Sequence, residues 1–187
     1  MGRALAEEGI PAAQQPGYTT MWMSFALILH NIGACAGMML FTKFAARFGR
    51  KPVFAVAYVC AMIVTAAVFK YLDQRSDIFW MIPLMGFFQL SLFAGFAIYL
   101  PELFPVSLRS TGTSFCYNVG RFIAAAGPFV QGTMIFAFSG GATNPAQRLE
   151  AFRSACGWMS LIFLLGLAVL PFAPETRGLP LPEDTDK

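Results

Sequence analysis

Residues 101–128 read PELFPVSLRSTGTSFCYNVGRFIAAAGP. They join two very hydrophobic runs through a connection that opens with two prolines, Pro101 and Pro105. The second run carries a charge, because Arg121 lies ten residues inside the apolar stretch that starts at Thr111. In a membrane helix an arginine costs about 2.5–3.5 kcal/mol on insertion scales, so it is a functional or pairing residue by default. Whether these runs cross a membrane therefore decides both the fold and the meaning of Arg121.

The rest of the chain favours a membrane. Hydrophobic residues make up 57% of it and charged residues 12%. A soluble domain carries about 25% charged residues, so half the usual solvating charge is missing. Phenylalanine alone occurs 20 times. A formal net charge of +3 is too small to argue for a nucleic-acid partner. Cys35, Cys60, Cys116 and Cys156 all fall in apolar runs, without metal spacing or a disulfide framework, and read as small buried hydrophobes. No cleavable signal peptide is visible.

A bilayer core needs about 20 mostly apolar residues in helix. Five segments meet this: 20–41, 52–71, 78–100, 111–138 and 155–173. The expected fold is an all-α membrane protein of five transmembrane helices, with short connections that make neighbours antiparallel. The domain is expected over 20–178, between a polar external segment at 1–19 and a tail at 179–187. Pro83 and Pro128 fall inside spans, where neighbouring helices can satisfy the freed carbonyls. Trp22, Trp80 and Trp158 sit near span ends, as interfacial tryptophans do.

Lysine and arginine set the orientation. The first connection holds Lys43, Arg47, Arg50 and Lys51 with no acid, which makes it cytoplasmic. Alternation then puts Arg109 and the C-terminus inside, and the N-terminus, Lys70, Arg75, Arg148 and Arg153 outside. An odd number of spans with an external N-terminus and no export signal is the first hint of a piece of a longer protein.

Three short segments carry a family pattern. Residues 101–105 read PELFP, followed by Arg109 and Gly112. Residues 42–51 read TKFAARFGRK, and residues 174–178 read PETRG. The first resembles the P-E-[LIV]-[FY]-P…R-x-x-G connection between spans ten and eleven of major facilitator superfamily transporters. The second resembles the G-x-x-x-D-R-x-G-R-[RK] signature of that superfamily. Arg47, Gly49, Arg50 and Lys51 match it, while Thr42 replaces the leading glycine and Ala46 the acid. The third resembles the P-E-T-[KR]-G signature that closes span twelve in sugar porters and related metabolite transporters. Each has a plainer reading: for the first an interfacial ion pair worth about 0–1 kcal/mol, for the second a basic cytoplasmic turn, and for the third a polar helix terminator.

The resemblance covers nearly everything from Thr20 to Gly178. It implies that the five spans correspond to spans eight to twelve of a twelve-span transporter. A missing N-terminal half is then a partner, along with the lipid bilayer and a small-molecule substrate. Met1 would fall in the external connection before span eight. The resemblance further implies a plasma or inner membrane location and a cytoplasmic C-terminus. It implies a cytoplasmic gating network of Arg47, Arg50, Glu102, Arg109, Glu175 and Arg177, in which carboxylates pair with arginines to lock one conformer. No cofactor, metal or catalytic residue is expected.

The resemblance places the substrate site near the midplane between two halves that rock against each other. Spans eight, ten and eleven face it, and nine and twelve are peripheral. The polar residues fall on the first three. In span eight, His30 is the one histidine of the chain. It joins a proton relay, contacts substrate, or is a hydrogen-bonded packing residue. Asn31 is beside it. Gly33 and Gly37 form a G-x-x-x-G pair suited to a close helix contact. In span ten, the Gln89 amide needs a partner, which is substrate, another helix or cavity water. In span eleven, Tyr117, Asn118 and Arg121 cluster, with Tyr117 and Arg121 on one face. The spacing of Arg121 resembles that of transporters of organic ions and aromatic acids. A guanidinium fork suits a carboxylate. An acid on another helix is the competing partner.

The leading expectation is a secondary transporter of a small polar metabolite, a sugar or an organic acid, coupled or not to protons. The alternative is a non-transporting helix-bundle scaffold or remnant that needs a partner half. An enzyme is not expected. The spans lack metal-ligand spacing, a nucleophile with a base, and paired carboxylates, and no aspartate precedes Lys70.

Overall fold

A computed structural model describes residues 15–141 and 144–183. Most of the expected external segment (1–14) and the end of the tail (184–187) lie outside the described residues. The described chain is helical, and five of its helices are long and apolar enough to cross a membrane. A bilayer offers no water to backbone N–H and C=O groups, so an apolar run there must close its hydrogen bonds within itself.

Helix α1 spans Gln15–Phe48, α2 Arg50–Tyr71 and α3 Arg75–Glu102. The fourth crossing is made of α4 (Arg109–Ala124) and α5 (Gly127–Ser139). The fifth begins as α6 (Pro145–Met159). It continues through a 3-10 turn at Ser160–Ile162 into α7 (Phe163–Val169) and a last 3-10 turn at Leu170–Phe172.

Two helices depart from a plain apolar run. The fourth crossing turns at Ala125 and Ala126 instead of running through. Pro128 has no N–H to offer the Ala124 carbonyl, so the ladder is interrupted and α5 restarts with Pro128 in its first turn. Pro83, by contrast, sits inside an unbroken α3. The fifth helix starts ten residues before the expected apolar span, at Pro145. The Asn144 side chain caps it by accepting from the Ala146 N–H at 3.0 Å. Its first turns are polar, so they extend the helix beyond the hydrocarbon.

Helices α1 and α3 pack backbone to backbone. A Cβ on Gly33 would overlap the Pro83 carbonyl, one on Gly37 the Phe87 carbonyl, and one on Gly86 the His30 carbonyl. The contact runs in both directions, each helix giving glycines to the other. Small residues at such spacing are what lets membrane helices approach. Below it lies the aromatic core of α1, α2 and α3. The Phe54 ring lies 5.1 Å from Phe41, 5.3 Å from Phe96 and 5.8 Å from Tyr99. Gly95 leaves the space that the Phe41 and Phe54 rings fill.

The fourth crossing is different, since none of its residues is buried. Phe122 is 87% exposed. The crossing is tied to the bundle at separate points: Tyr117 Oη donates to the Phe93 carbonyl at 3.2 Å, and Gln131 Nε2 lies 3.2 Å from Cys156 Sγ. The cysteines correct one expectation. Only Cys156 is buried, while Cys60 and Cys116 are half-buried and Cys35 is exposed. A small thiol on an outer face of a membrane helix meets lipid, where it carries little penalty.

Candidate functional site: a charged network at one end of the bundle

The α1–α2 turn is built on Gly49, whose φ of 102° and ψ of 162° belong to glycine. Gly49 has no side chain to cap α2, so the first N–H groups of that helix look elsewhere. Glu175 supplies the cap from the far end of the chain. Its carboxylate accepts from the Arg50 N–H at 2.8 Å and the Lys51 N–H at 3.0 Å, about 125 residues away in sequence. It also accepts from the Arg177 N–H at 3.1 Å. A Cβ on Gly49 would lie 2.9 Å from Glu175 Oε2, so the glycine also makes room for the carboxylate. A negative charge at a helix N-terminus meets the positive end of the macrodipole.

The second half of the network is a fork. Arg50 Nη2 and Nε donate to the two oxygens of Glu102, at 2.5 and 3.1 Å. This bidentate geometry is the strong form of the arginine–carboxylate pair. Both side chains are 16% exposed. Arg50 Nη1 reaches the Ala45 carbonyl at 2.9 Å, and Thr176 Oγ1 donates to Glu102 Oε2 at 2.5 Å. Tyr99 Oη donates to the Pro174 carbonyl at 2.7 Å, and Lys51 Nζ to the Pro171 carbonyl at 3.1 Å. The start of α2, the end of α3 and the segment after the fifth crossing are thus held together.

Burial pushes the Glu175 carboxyl up, but the backbone N–H groups of Arg50, Lys51 and Arg177 and the Arg50 charge outweigh it. The net effect holds Glu175 below its ordinary value of 4.5. The contribution of Glu175 to stability is therefore present above the unfolded value and is lost as pH falls through the lower folded one.

The expected gating residues divide. Arg50, Glu102 and Glu175 meet directly. Arg109 stands beside them: its Nε donates to the Pro101 carbonyl at 3.1 Å and its Nη2 to Pro182 at 3.3 Å. It caps the end of α3 with a cation, as the dipole favours. Arg177 enters through its backbone N–H, and its side chain is exposed. The Arg47 guanidinium lies over its neighbour Phe48, 5.5 Å from the ring centroid.

The expected substrate residues do not form one cluster within this chain. Gln89 Nε2 donates to the buried Thr65 Oγ1 of α2 at 2.7 Å, which ties α3 to α2. Asn31 and Asn118 donate back to the Leu27 and Ser114 carbonyls of their own helices, at 2.7 and 2.9 Å. His30 is half-buried, with its carbonyl against Gly86. Arg121 is exposed on the crossing that buries nothing, one turn from Tyr117. Sequence reading missed Thr65, Tyr99 and Thr176 as partners. Thr176 lay inside a motif already singled out, whereas Thr65 sat in a run without other polar signals.

Two curated proteins are similar to the chain. A putative metabolite transport protein of Haemophilus influenzae is 26% identical over 171 residues, covering 87% of this chain and 39% of that protein. A probable 4-methylmuconolactone transporter of Cupriavidus pinatubonensis is 29% identical over 158 residues, covering 84% of this chain and 34% of that one. The chain thus spans less than two-fifths of the length of either relative. No family model matches, and no solved structure matches. Both relatives are named as transporters and neither as an enzyme. Five crossing-length apolar helices and transporter relatives together make this a multi-pass integral membrane protein.

Proposed function

We propose that this chain is the C-terminal part of a twelve-span major facilitator superfamily transporter that moves a small polar metabolite, an organic acid or a sugar, by secondary active transport. The observation that carries the reading is the meeting of Gly49, Arg50, Glu102 and Glu175 at one end of the bundle. Three segments that resemble the superfamily's signatures each contribute a group that the others satisfy. A turn that only obeyed the positive-inside rule would not need two carboxylates held this way. A lock on one conformer would.

In this reading the Arg50 end and the C-terminus face the cytoplasm of a plasma or inner membrane. The network holds that end closed, and opening separates Glu102 from Arg50. A hydrogen bond to a charged group is worth about 1.5–3 kcal/mol. That suits a switch between states separated by a few kcal/mol. The missing N-terminal half covers the fourth crossing and completes the site. His30, Asn31, Gln89, Tyr117, Asn118 and Arg121 are the proposed substrate residues. Arg121 leads, because an exposed guanidinium on an uncovered span is ready for an anion from across the interface. The favoured substrate is therefore an organic acid, and the proposed driving force is a proton gradient.

The test is uptake by the full-length transporter carrying Arg121→Ala. Uptake of an anionic substrate should fall about tenfold, the loss of one charge-assisted hydrogen bond. Uptake of a neutral analogue should change little. Equal, small effects on both would remove Arg121 from the site.

A further inference from the structure

At the end of the bundle opposite the Arg50 network, α2 and α6 leave a groove of about 820 Å³ between them. The two helices run antiparallel. Arg153 of α6 pairs with Asp73 at 2.7 Å and donates to the Leu72 carbonyl at 2.6 Å, just past the end of α2. The walls change character along the helix axes. On α2, Lys70 stands at the mouth, with Ala66 and Ile63 successively deeper on the same face. On α6, Glu150 and Ser154 stand at the mouth, and Leu161 lies deeper past Trp158. From Lys70 to Ile63 the helix descends about 10 Å, from charged to apolar surface, and the Ser160 hydroxyl at the deep end is taken up by the Gly157 carbonyl at 2.6 Å. A second cavity of about 490 Å³ shares Glu150, Ser154 and Trp158 and widens the polar mouth.

A groove charged at one end and apolar inward has the amphipathic profile of a bilayer lipid. We propose that it seats a single phospholipid, with the phosphate at Lys70 and an acyl chain along Ala66, Ile63 and Leu161. Arg153 is already engaged with Asp73 and Leu72 and serves as a wall. Lys70 and Glu150 make no ion pair among the described residues. Lys70 lies 5.3 Å from the ring of its neighbour Tyr71. One cation and one carboxylate at the mouth complement a headgroup with one phosphate and one ammonium. A carboxylate acceptor further favours a primary ammonium, which donates hydrogen bonds, over a quaternary one, which cannot. The headgroup class is therefore phosphatidylethanolamine. The proposal depends on the membrane fold and not on the transported substrate.

The test is native mass spectrometry of the full chain released from micelles containing equal amounts of phosphatidylethanolamine, phosphatidylglycerol and phosphatidylcholine. One retained phosphatidylethanolamine per chain is expected, in clear excess over the other two. Lys70→Ala should lower its retention about fivefold, the worth of one basic side chain at a membrane surface. Glu150→Gln should erase the preference over phosphatidylcholine. Ala66→Trp, which fills the apolar floor, should remove the bound lipid, with circular dichroism confirming that the variant keeps its helices. Equal retention of all three lipids, or retention unchanged in both Lys70→Ala and Ala66→Trp, overturns the proposal. Displacement of the lipid by millimolar inorganic phosphate also overturns it, because the site would then be a simple anion site.

Discussion

Glu175→Ala should destabilise the start of α2, a helix that begins 125 residues earlier in the chain. The carboxylate accepts from the N–H groups of Arg50 and Lys51, which have no capping side chain of their own. Loss of an N-cap acceptor costs about 0.5–2 kcal/mol. Loss of a negative charge at a helix N-terminus adds about 0.3–1 kcal/mol. Partial exposure of Glu175 screens the charge, so the sum is set near about 2 kcal/mol. Glu175→Gln keeps one acceptor oxygen, which serves only one of the two N–H groups, and should lose an intermediate amount, about 1–1.5 kcal/mol. Hydrogen exchange at the Arg50 and Lys51 amides, in detergent or nanodiscs, reads the effect locally, and about 2 kcal/mol corresponds to roughly thirtyfold faster exchange. The pH dependence follows from the depressed Glu175 carboxyl. Protection of these amides should hold above the ordinary 4.5 and fade as pH falls below it. Glu175→Gln should flatten that fall. Unchanged exchange at both amides in Glu175→Ala would refute the trans-capping argument.

Gly86→Val should drive α1 and α3 apart, because its side chain would meet the His30 carbonyl rather than a movable group. A loss of at least about 1–3 kcal/mol is expected in denaturant unfolding, with Gly120→Val, which meets open space, as the control. Gln89→Leu should cost about 1–3 kcal/mol by stranding the buried Thr65 hydroxyl. The double variant Gln89→Leu with Thr65→Val should recover most of that loss, and a double variant as unstable as the single one would break the pairing argument.

Much of the fold was legible in the sequence for a simple reason. In lipid the backbone must be internally satisfied, so hydropathy alone locates the helices, from the run around Ala61 to the run around Leu165. The G-x-x-x-G spacing of Gly33 and Gly37 likewise announced a close helix contact, and Pro83 and Phe87 supply the other side of it. The interruption of the fourth crossing was signalled by Gly127 and Pro128 but hidden by a continuous apolar composition. The charged end was readable as a set of motifs, but not as a network. Nothing local tells that Glu175 caps α2, since the missing cap at Gly49 and the carboxylate that replaces it are separated by most of the chain. Polar residues inside spans are the hardest to read. Gln89, Asn31 and Asn118 carry the same signal in sequence. Yet Gln89 bridges to another helix, while the two asparagines turn back on their own carbonyls.

The central claim is the proposal that this chain is the C-terminal part of a transporter. The most direct measurement is uptake of radiolabelled organic acids into vesicles, with the chain expressed together with the N-terminal half that the proposal requires. The account predicts accumulation that requires both parts, collapses with a protonophore, and is altered by Arg50→Ala. No accumulation with both parts present, or the same accumulation from the N-terminal half alone, would contradict it.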